Sequence, residues 1–595
     1  MKKTFKLLLF GSLPFLLILY LLFFFNIIKS DWNYAHKSMY TYQYPFNWFS
    51  YKIKSNIAKS FINFKEISGR GLDVKRIYIE ERKKKNLLID TPISTKIWQR
   101  GFHMDEDDKL KEAQIRFRGD NPRNWLLEKK HWRIKVNKNE IKNQKRYFDF
   151  LPFKFDKYFS GKIANSVNLI SPEFKLIELY VNDLSEGVYI ESENLNESFL
   201  RRKKIMPVNM YKIEQILDES ITALDINFFN SPGATSKSAI FNQLDKSDKS
   251  DLIFYLELIR QSQNDKKSFK NLIDTIGIDN WALFTAYQIL TQNFHNDNSH
   301  NGRFVVDPWS GYLIPIVYDP LIGSLDKTNF NLNLSSNDLI SLLNKSSEFQ
   351  HLKLEKMNKI LDTNVVEKLI SEHNDIEDNL MISEKRDIDF WVENFNLFKL
   401  VKIIFDSDFV DDKKKAERKK FLDNYKDFLN NLNLYLKSKP KGNWKKNKYG
   451  FEILVQKDLP LSNLKVYFKD DPPKWLYIDL NENNFLDDNE KQFKFYSDNG
   501  YFDMNYNFYA NRLDHRNSIS YNSNVDLITP DTRFKFISEN SSKPYKITYE
   551  NPFSKNEYLL EENNFNGVPL SQLNFPVTKN HKKVKTIKLS GNYQV

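Results

Sequence analysis

Residues 176–193 read LIELYVNDLSEGVYIESE, two apolar runs separated by a polar break at 183–187, DLSEG. Runs of this length, rich in Ile, Leu, Val and Tyr and broken by Asp and Gly, predict two β-strands joined by a turn. Working outward, strand patterns at 73–80, 113–118 and 131–136 precede this pair, and one helical pattern lies at 157–168. The stretch up to about residue 208 therefore reads as a mixed sheet carrying one helix. From about residue 251 the apolar period changes to that of a helix, as in Leu252, Tyr255, Leu256 and Ile259, then Trp281, Phe284 and Tyr287. Helical patterns return over 365–437, after a hairpin at 303–319 and a Ser/Asn-rich loop at 324–347. Residues 439–447 (KPKGNWKKN) read as a linker, and alternating runs at 475–480, 493–496 and 533–537 predict a separate β domain over 447–595. The expected class is α+β, with a strand-rich lobe, a helical lobe and a C-terminal all-β domain.

A chain of 595 residues is long enough for two to four cores. Its 41% hydrophobic and 15% aromatic content excludes disordered and collagen-like polymers. The excess of 89 basic over 77 acidic residues gives +12, but the two signs are interspersed in nearly every segment. That pattern describes a solvated surface, and no nucleic-acid partner is expected. There is no cysteine, which excludes disulfides, thiolate zinc sites and Cys nucleophiles.

Residues 5–28 (FKLLLFGSLPFLLILYLLFFFNII) are apolar except for Lys6, long enough to cross a hydrocarbon core that needs about 20 helical residues. No small-x-small cleavage site is legible before Ser30, so residues 1–29 are expected to be an uncleaved transmembrane signal anchor, followed by a juxtamembrane segment at 30–72. Lys2, Lys3 and Lys6 on one flank place the N-terminus in the cytoplasm and the body outside it, with the lipid bilayer as a partner.

The chemistry sits in the helical lobe. A polar loop, 293–301 (NFHNDNSHN), leads into the hairpin, whose returning strand ends in Asp319. A hairpin brings its ends together, so Asp297, Asn301 and Asp319 are expected to converge. Two carboxylates and an amide oxygen suit Mg²⁺ holding phosphate oxygens. Protein kinases use the same order of catalytic Asp, metal-binding Asn, hairpin and metal-binding Asp. The plainer reading makes Asp297 one more polar loop residue and Asp319 a turn former before Pro320. His295 and His300 lack a zincin spacing and read as loop residues.

Several blocks over residues 74–319 resemble the spore coat protein H (CotH) kinase family, an atypical branch of the protein-kinase fold. Residues 115–119 (IRFRG) and 129–136 (KKHWRIKV) are similar to its Arg-Gly turn and its Lys-Lys-x-aromatic-Arg strand; residues 182–193 resemble its Asn…Gly-Val-Tyr…Glu block, and 210–212 (MYK) its Leu-Tyr-Lys. The resemblance implies a two-lobe kinase-like domain over 73–438 that uses ATP and Mg²⁺. It implies Asp297 as catalytic base, Asn301 and Asp319 as metal ligands, and Arg118, Gly119 and Lys130 as nucleotide-binding residues. Strand parity points Lys130 into the cleft, with Lys135 on the other face as the alternative. The acceptor would be a protein or a cell-envelope glycan hydroxyl. The family's Pro-Trp-Asp-x-Asp block reads Pro315, Ile316, Val317, Tyr318, Asp319 here, losing the Trp and the first acid. That loss, with the scarcity of ATP outside the cytoplasm, supports a rival reading as a catalytically inactive surface binding or assembly protein.

A second site is expected at 479–490 (DLNENNFLDDNE). Asp479, Asn481, Asn483, Asp487 and Glu490 occupy ligand positions of a twelve-residue Ca²⁺ loop, with Asn484 where Gly is usual. The alternative is an acidic hairpin loop.

Overall fold

The computed structural model describes residues 54–56 and 69–569, except 92, 105–108, 120–122, 142–144, 206, 214–231, 242–244, 294, 297, 299–300, 326–329, 331, 334, 394–407, 470, 480–481, 488–489, 496–499 and 511–530. The chain divides into two compact units, one of residues 1–158, 172–202 and 370–419, the other of 159–171, 203–369 and 420–595. The fold is mixed α+β. Among the described residues no helix is long and apolar enough to cross a membrane, and the expected anchor at 5–28 lies outside them.

The strands of the first unit are β1 (Val74–Tyr78), β2 (Gln99–Met104), β3 (Leu110–Phe117), β4 (Trp132–Val136), β5 (Tyr147–Pro152), β6 (Phe174–Val181) and β7 (Leu184–Glu193), with helix α1 (Glu81–Asn86) after β1. They form a closed barrel in the order β1-β2-β3-β4-β5-β7-β6; the sheet is mixed, as expected from sequence, and its closure is what the sequence reading did not include. Closure comes from a parallel pairing of β1 with β6, Val74 opposite Glu178 and Ile77 opposite Val181. A contact across about a hundred residues leaves no local signal, and β2 carries Arg, Gly and His that mask its period. Ile115, Phe117, Trp132, Ile134, Phe150, Ile177 and Leu179 fill the barrel. Each such side chain contributes roughly 1.5–3 kcal/mol on burial.

The turn between β6 and β7 is tighter than residues 183–187. Asn182 and Asp183 alone make it, at φ 51° and 62°. Positive φ at both positions is what a two-residue hairpin of right-handed twist demands. The Asn182 side chain also pairs with the backbone N–H and C=O of Ile79, both at 2.8 Å, tying the hairpin tip to the end of β1. Gly187 then lies inside β7 at φ +83°, where a Cβ would fall 2.4 Å from Cα of Asp387. The close approach lets the Asp387 carboxylate accept the Val188 N–H at 2.9 Å and the Lys129 ammonium at 2.6 Å. Beside it, buried Glu178 accepts from Arg386 and Ser383, both at 2.9 Å, and from Ser185 at 3.0 Å.

The second unit contains helix α2 from residue 159 onward (the whole helix is Phe155–Ser166), strands β8 (Asn209–Ile213) and β9 (Thr235–Ala239), helices α3 (Ser250–Ser262), α4 (Lys266–Thr275) and α5 (Ile278–Thr291), and strands β10 (Arg303–Val306) and β11 (Leu313–Pro315). The strands form a sheet in the order β11-β10-β8-β9. The segment expected to be a loop at 324–347 contains helix α6 (Asp338–Leu343), wholly buried and capped by Asn337, whose side chain accepts the Ile340 N–H at 3.0 Å. Six residues, all buried, display no amphipathic period to find. Helix α7 (Ser347–Asp362) follows; α8 (Val365–Lys385) belongs to the first unit from residue 370 onward, and α9 (Asp408–Leu436) to the second from residue 420 onward.

After α9 come β12 (Lys441–Lys446), β13 (Gly450–Gln456), β14 (Leu461–Tyr467), β15 (Trp475–Asp479), β16 (Gln492–Lys494), β17 (Tyr501–Phe508), β18 (Thr532–Ser538), β19 (Lys546–Glu550), β20 (Glu557–Leu559), β21 (Glu561–Glu562) and β22 (Val568–Pro569). They make two sheets, β16-β15-β18-β13-β12-β21, with β22 on β18, and β17-β14-β19-β20. Their shared core includes Trp444, Phe451, Ile453, Leu464, Phe502, Phe508 and Phe536. Strand β12 occupies the stretch read as a linker: Trp444 is its one large apolar residue, so the run shows no alternation.

Asp387→Ala strands the Lys129 ammonium in a buried site, a change that costs about 3–5 kcal/mol when one partner of such a pair is removed. Urea titration should show a correspondingly lower midpoint for unfolding of the barrel. A midpoint within experimental error of the parent's would show that the pair contributes nothing.

Candidate functional site

Helix α5 ends in Gln292, which turns left-handed at φ 48° and starts the polar loop. Asparagine side chains then shape the loop through backbone bonds. Asn293 Oδ1 accepts the His295 N–H at 2.9 Å. The buried Asn296 amide donates to the Asn301 carbonyl and the Tyr318 carbonyl, both at 3.0 Å, joining the two ends of the hairpin. Asn298 pairs with Asp338 through its amide (2.6 Å) and its oxygen (2.9 Å to the N–H), which fixes the loop on α6.

His295 occupies the centre. Its Nδ1 lies 3.1 Å from Asp319 Oδ2 and 3.3 Å from Asn301 Nδ2. Asn301 also donates to the His295 carbonyl at 3.2 Å, while Nδ1 lies 3.3 Å from the Asp319 carbonyl. The two expected metal ligands are thus brought to one imidazole. Both have left-handed backbones, Asn301 at φ 55° and Asp319 at φ 50°. Non-glycine residues held in that region carry strain that clusters at ligand-binding positions. Asp297 lies outside the described residues. Sequence reasoning passed over His295, although His two residues before Asp is the spacing of the kinase catalytic loop.

The altered 315–319 block has a packing explanation. Ile316 and Val317 are buried, and the Val317 N–H donates to the Ile170 carbonyl at 2.8 Å. Tyr318 carries the Arg303 guanidinium 4.2 Å above its ring, and Arg303 donates to the Ile213 carbonyl at 2.8 Å.

In the first unit, Gly119 turns at φ +89°, and a Cβ there would meet the Asn124 amide at 2.0 Å. Glycine is required by packing as well as by conformation. Arg118 donates through Nε to Asp149 at 2.8 Å, and Arg133 meets the same carboxylate at 2.6 and 2.8 Å. Burial alone would raise the Asp149 pKa; Arg133 and Arg118 outweigh it and hold it below the usual carboxylate value. Lys130 donates to the Trp125 and Leu127 carbonyls, at 2.9 and 2.8 Å, capping the short helix Arg123–Leu126. Lys135, the alternative, lies 5.8 and 5.7 Å from the ring centres of Trp98 and Tyr147.

In the acidic loop, Lys535 stands where a cation would. Its ammonium lies 2.8 Å from Asp479 Oδ2 and donates to Asn484 Oδ1 at 2.6 Å. Asn484 has the left-handed φ of 66° expected of the position. Asp487 accepts from Asn483 at 2.8 Å, and its N–H donates to Glu490 at 3.1 Å. Burial, with Asp479, Glu490 and Asp487 nearby, pushes the Tyr477 pKa up to about 12. Asn481 lies outside the described residues, among which no group of three or more His, Asp or Glu residues is arranged to hold a metal ion.

A family model described as CotH kinase protein matches residues 115–436, more than half of the chain. The protein belongs to the CotH kinase family. The match takes in the Arg-Gly turn, the β6–β7 hairpin and the His295 loop of this CotH protein. No curated protein matches it. Among solved structures it is similar to the Helicobacter pylori proinflammatory kinase CtkA, at 11% identity over 49% of this chain and 93% of that one, with a TM-score of 0.19. It is also similar to a chain of the Shewanella oneidensis MR-1 toxin–antitoxin complex of HipA, HipB and operator DNA, at 10% identity and a TM-score of 0.20. That match covers 42% of this chain and 61% of the other.

Asp149 gives the barrel a defined acid dependence. Its folded pKa lies below its unfolded value of about 3.9, so its contribution is complete above that value and is lost as pH falls through the folded pKa. Asp149→Asn should flatten the acid limb of a stability-against-pH curve; an unchanged limb would remove Asp149 as its source.

Lys535→Met leaves the buried Asp479 carboxylate without its cation. The variant's Tm should fall at neutral pH and recover with millimolar Ca²⁺ by more than the parent's rises. Equal shifts in the two proteins would mean that no divalent cation enters the loop.

Proposed function

We propose that this CotH family member transfers the γ-phosphate of ATP to a protein or glycan hydroxyl at a membrane. The observation that carries the reading is the convergence of Asn301 and Asp319 on His295. Their oxygen donors fit Mg²⁺, which needs only one or two protein carboxylates when phosphates supply the rest. Bound between them, Mg²⁺ would neutralise the charge of the phosphate oxygens.

Asp297 would orient the acceptor hydroxyl and take its proton as that oxygen bonds to the γ-phosphorus. The bond from phosphorus to the bridging oxygen breaks, and ADP leaves with its electron pair. The hydrogen bonds of Asn296 to both ends of the hairpin hold the two ligand positions together before substrate arrives, a form of preorganisation. Arg118 and the Gly119 turn would meet phosphate, with Asp149 orienting the guanidinium. Lys130 favours the rival reading as a binding protein without transfer, because its ammonium already donates to two carbonyls.

Asp319→Asn should lose Mg²⁺-dependent ATP affinity and transfer together, whereas Asp297→Asn should keep most of the affinity and lose transfer. Calorimetry of ATP with and without Mg²⁺, beside a phosphate-transfer assay, separates the two. Equal ATP affinity in the parent and in Asp319→Asn would remove the metal assignment. Absence of Mg²⁺-dependent ATP binding in the parent would leave the rival.

A further inference from the structure

The outer wall of the barrel combines two features that the proposed phosphotransfer site does not use. The segment joining α1 to β2 exposes three large aliphatic residues, Ile89 and Ile93 at 65% and Ile97 at 53%. It is not a slack loop. Ser94 Oγ donates to the Leu87 carbonyl at 2.9 Å and accepts the Asp90 N–H at 3.1 Å, while the Ser94 and Lys96 N–H groups donate to the Asp90 and Ile93 carbonyls at 2.7 and 3.1 Å. A soluble surface gains nothing by ordering three isoleucines into water.

Next to them stands a ladder of cations on aromatic rings. Arg116 lies 4.7 Å over the ring of Trp98 and donates to the Lys96 carbonyl at 3.2 Å, so the ladder adjoins the isoleucine segment directly. Lys135 lies between Trp98 and Tyr147, and Arg146 sits 5.6 Å over Tyr147. Strand pairing places Arg116, Lys135 and Tyr147 on one outward face in two adjacent rows, Arg116 opposite Arg133 and Lys135 opposite Gln114 and Tyr147. Among the described residues, the carboxylates on the neighbouring strands of this face are Asp149, held by Arg118 and Arg133, and Glu112, paired with Arg100; Asp90 is exposed within the isoleucine segment itself.

We propose that this face rests on the surface of an anionic lipid bilayer. The isoleucines would enter the boundary between headgroups and acyl chains, Trp98 would lie at headgroup level, and the cations would meet lipid phosphates. The chain before the barrel supports this occupant over a soluble polyanion: an apolar stretch long enough to span a membrane ends at Ile28, about sixty residues before Ile89. Anchored through that stretch, the chain would hold a weakly binding face at a high effective concentration near the bilayer. A polyanion in solution would use the cations and leave the isoleucines exposed.

The absence of cysteine allows a direct test on the full chain. Ile93→Cys carries a single nitroxide label at an exposed site. The protein is reconstituted into vesicles of phosphatidylcholine with phosphatidylglycerol, and flotation confirms that it is vesicle-bound. Relative to detergent, collisions of the Ile93 label with a water-soluble nickel complex should fall several-fold while those with oxygen rise. Arg116→Glu with Lys135→Glu should restore access of the nickel complex to position 93 without releasing the protein from vesicles.

Equal access in vesicles and detergent overturns the proposal, as does failure of the chain to float. Equal shielding by soluble polyphosphate in detergent would assign the face to a polyanion instead. ATP binding by the same samples reports on the phosphotransfer reading independently.

Discussion

One buried carboxylate, Asp387, organises the first unit. It accepts the ammonium of Lys129 and a backbone N–H of β7, and it reaches them because Gly187 lacks a side chain. A buried ion pair is a weak source of net stability, since desolvation offsets most of its attraction. Its stronger effect is on choice of structure: with Lys129 in place, any packing that moves Asp387 away leaves a charge without a partner. Glu178 and Arg386 repeat the device close by. Residues that resemble a family signature, Lys129 and Gly187 among them, thus have structural work that requires no nucleotide.

The same distinction bears on how far the sequence could be read. The strands at 174–181 and 187–192 and the helices around Leu252 and Trp281 were legible, because apolar residues recur at the period of the element. Closure of the barrel was not, since the pairing of β1 with β6 joins distant segments through backbone atoms whose side chains carry no record of it. Helix α6 is buried all round and β12 holds a single large apolar residue; neither has the two-faced pattern that periodicity detects.

For the site, the hairpin led to an expected convergence of Asp297, Asn301 and Asp319; the structure brings the last two to one imidazole, and Asp297 lies outside the described residues. The imidazole of His295 and the amide of Asn296 occupy the space between the ends of the hairpin. In an Asn-rich sequence these residues look like loop filler, because what sets them apart is the direction of their hydrogen bonds. Lys130 shows the opposite case. Strand parity is a sound rule within a strand, but β4 begins two residues later, and the ammonium turns to the open carbonyls of a helix end instead.

Helix α9 passes into β12 with hardly a break, and the joint is closed by a buried amide: Asn551 donates to the Leu436 and Ser438 carbonyls at 2.8 and 2.6 Å. Tension applied at the sandwich would therefore enter the long helix along its axis instead of being spent on extending a linker. Strain arising at one end of the second unit would then reach α5, whose Leu290 carbonyl accepts the Tyr425 hydroxyl of α9 at 3.1 Å, without a slack element to absorb it.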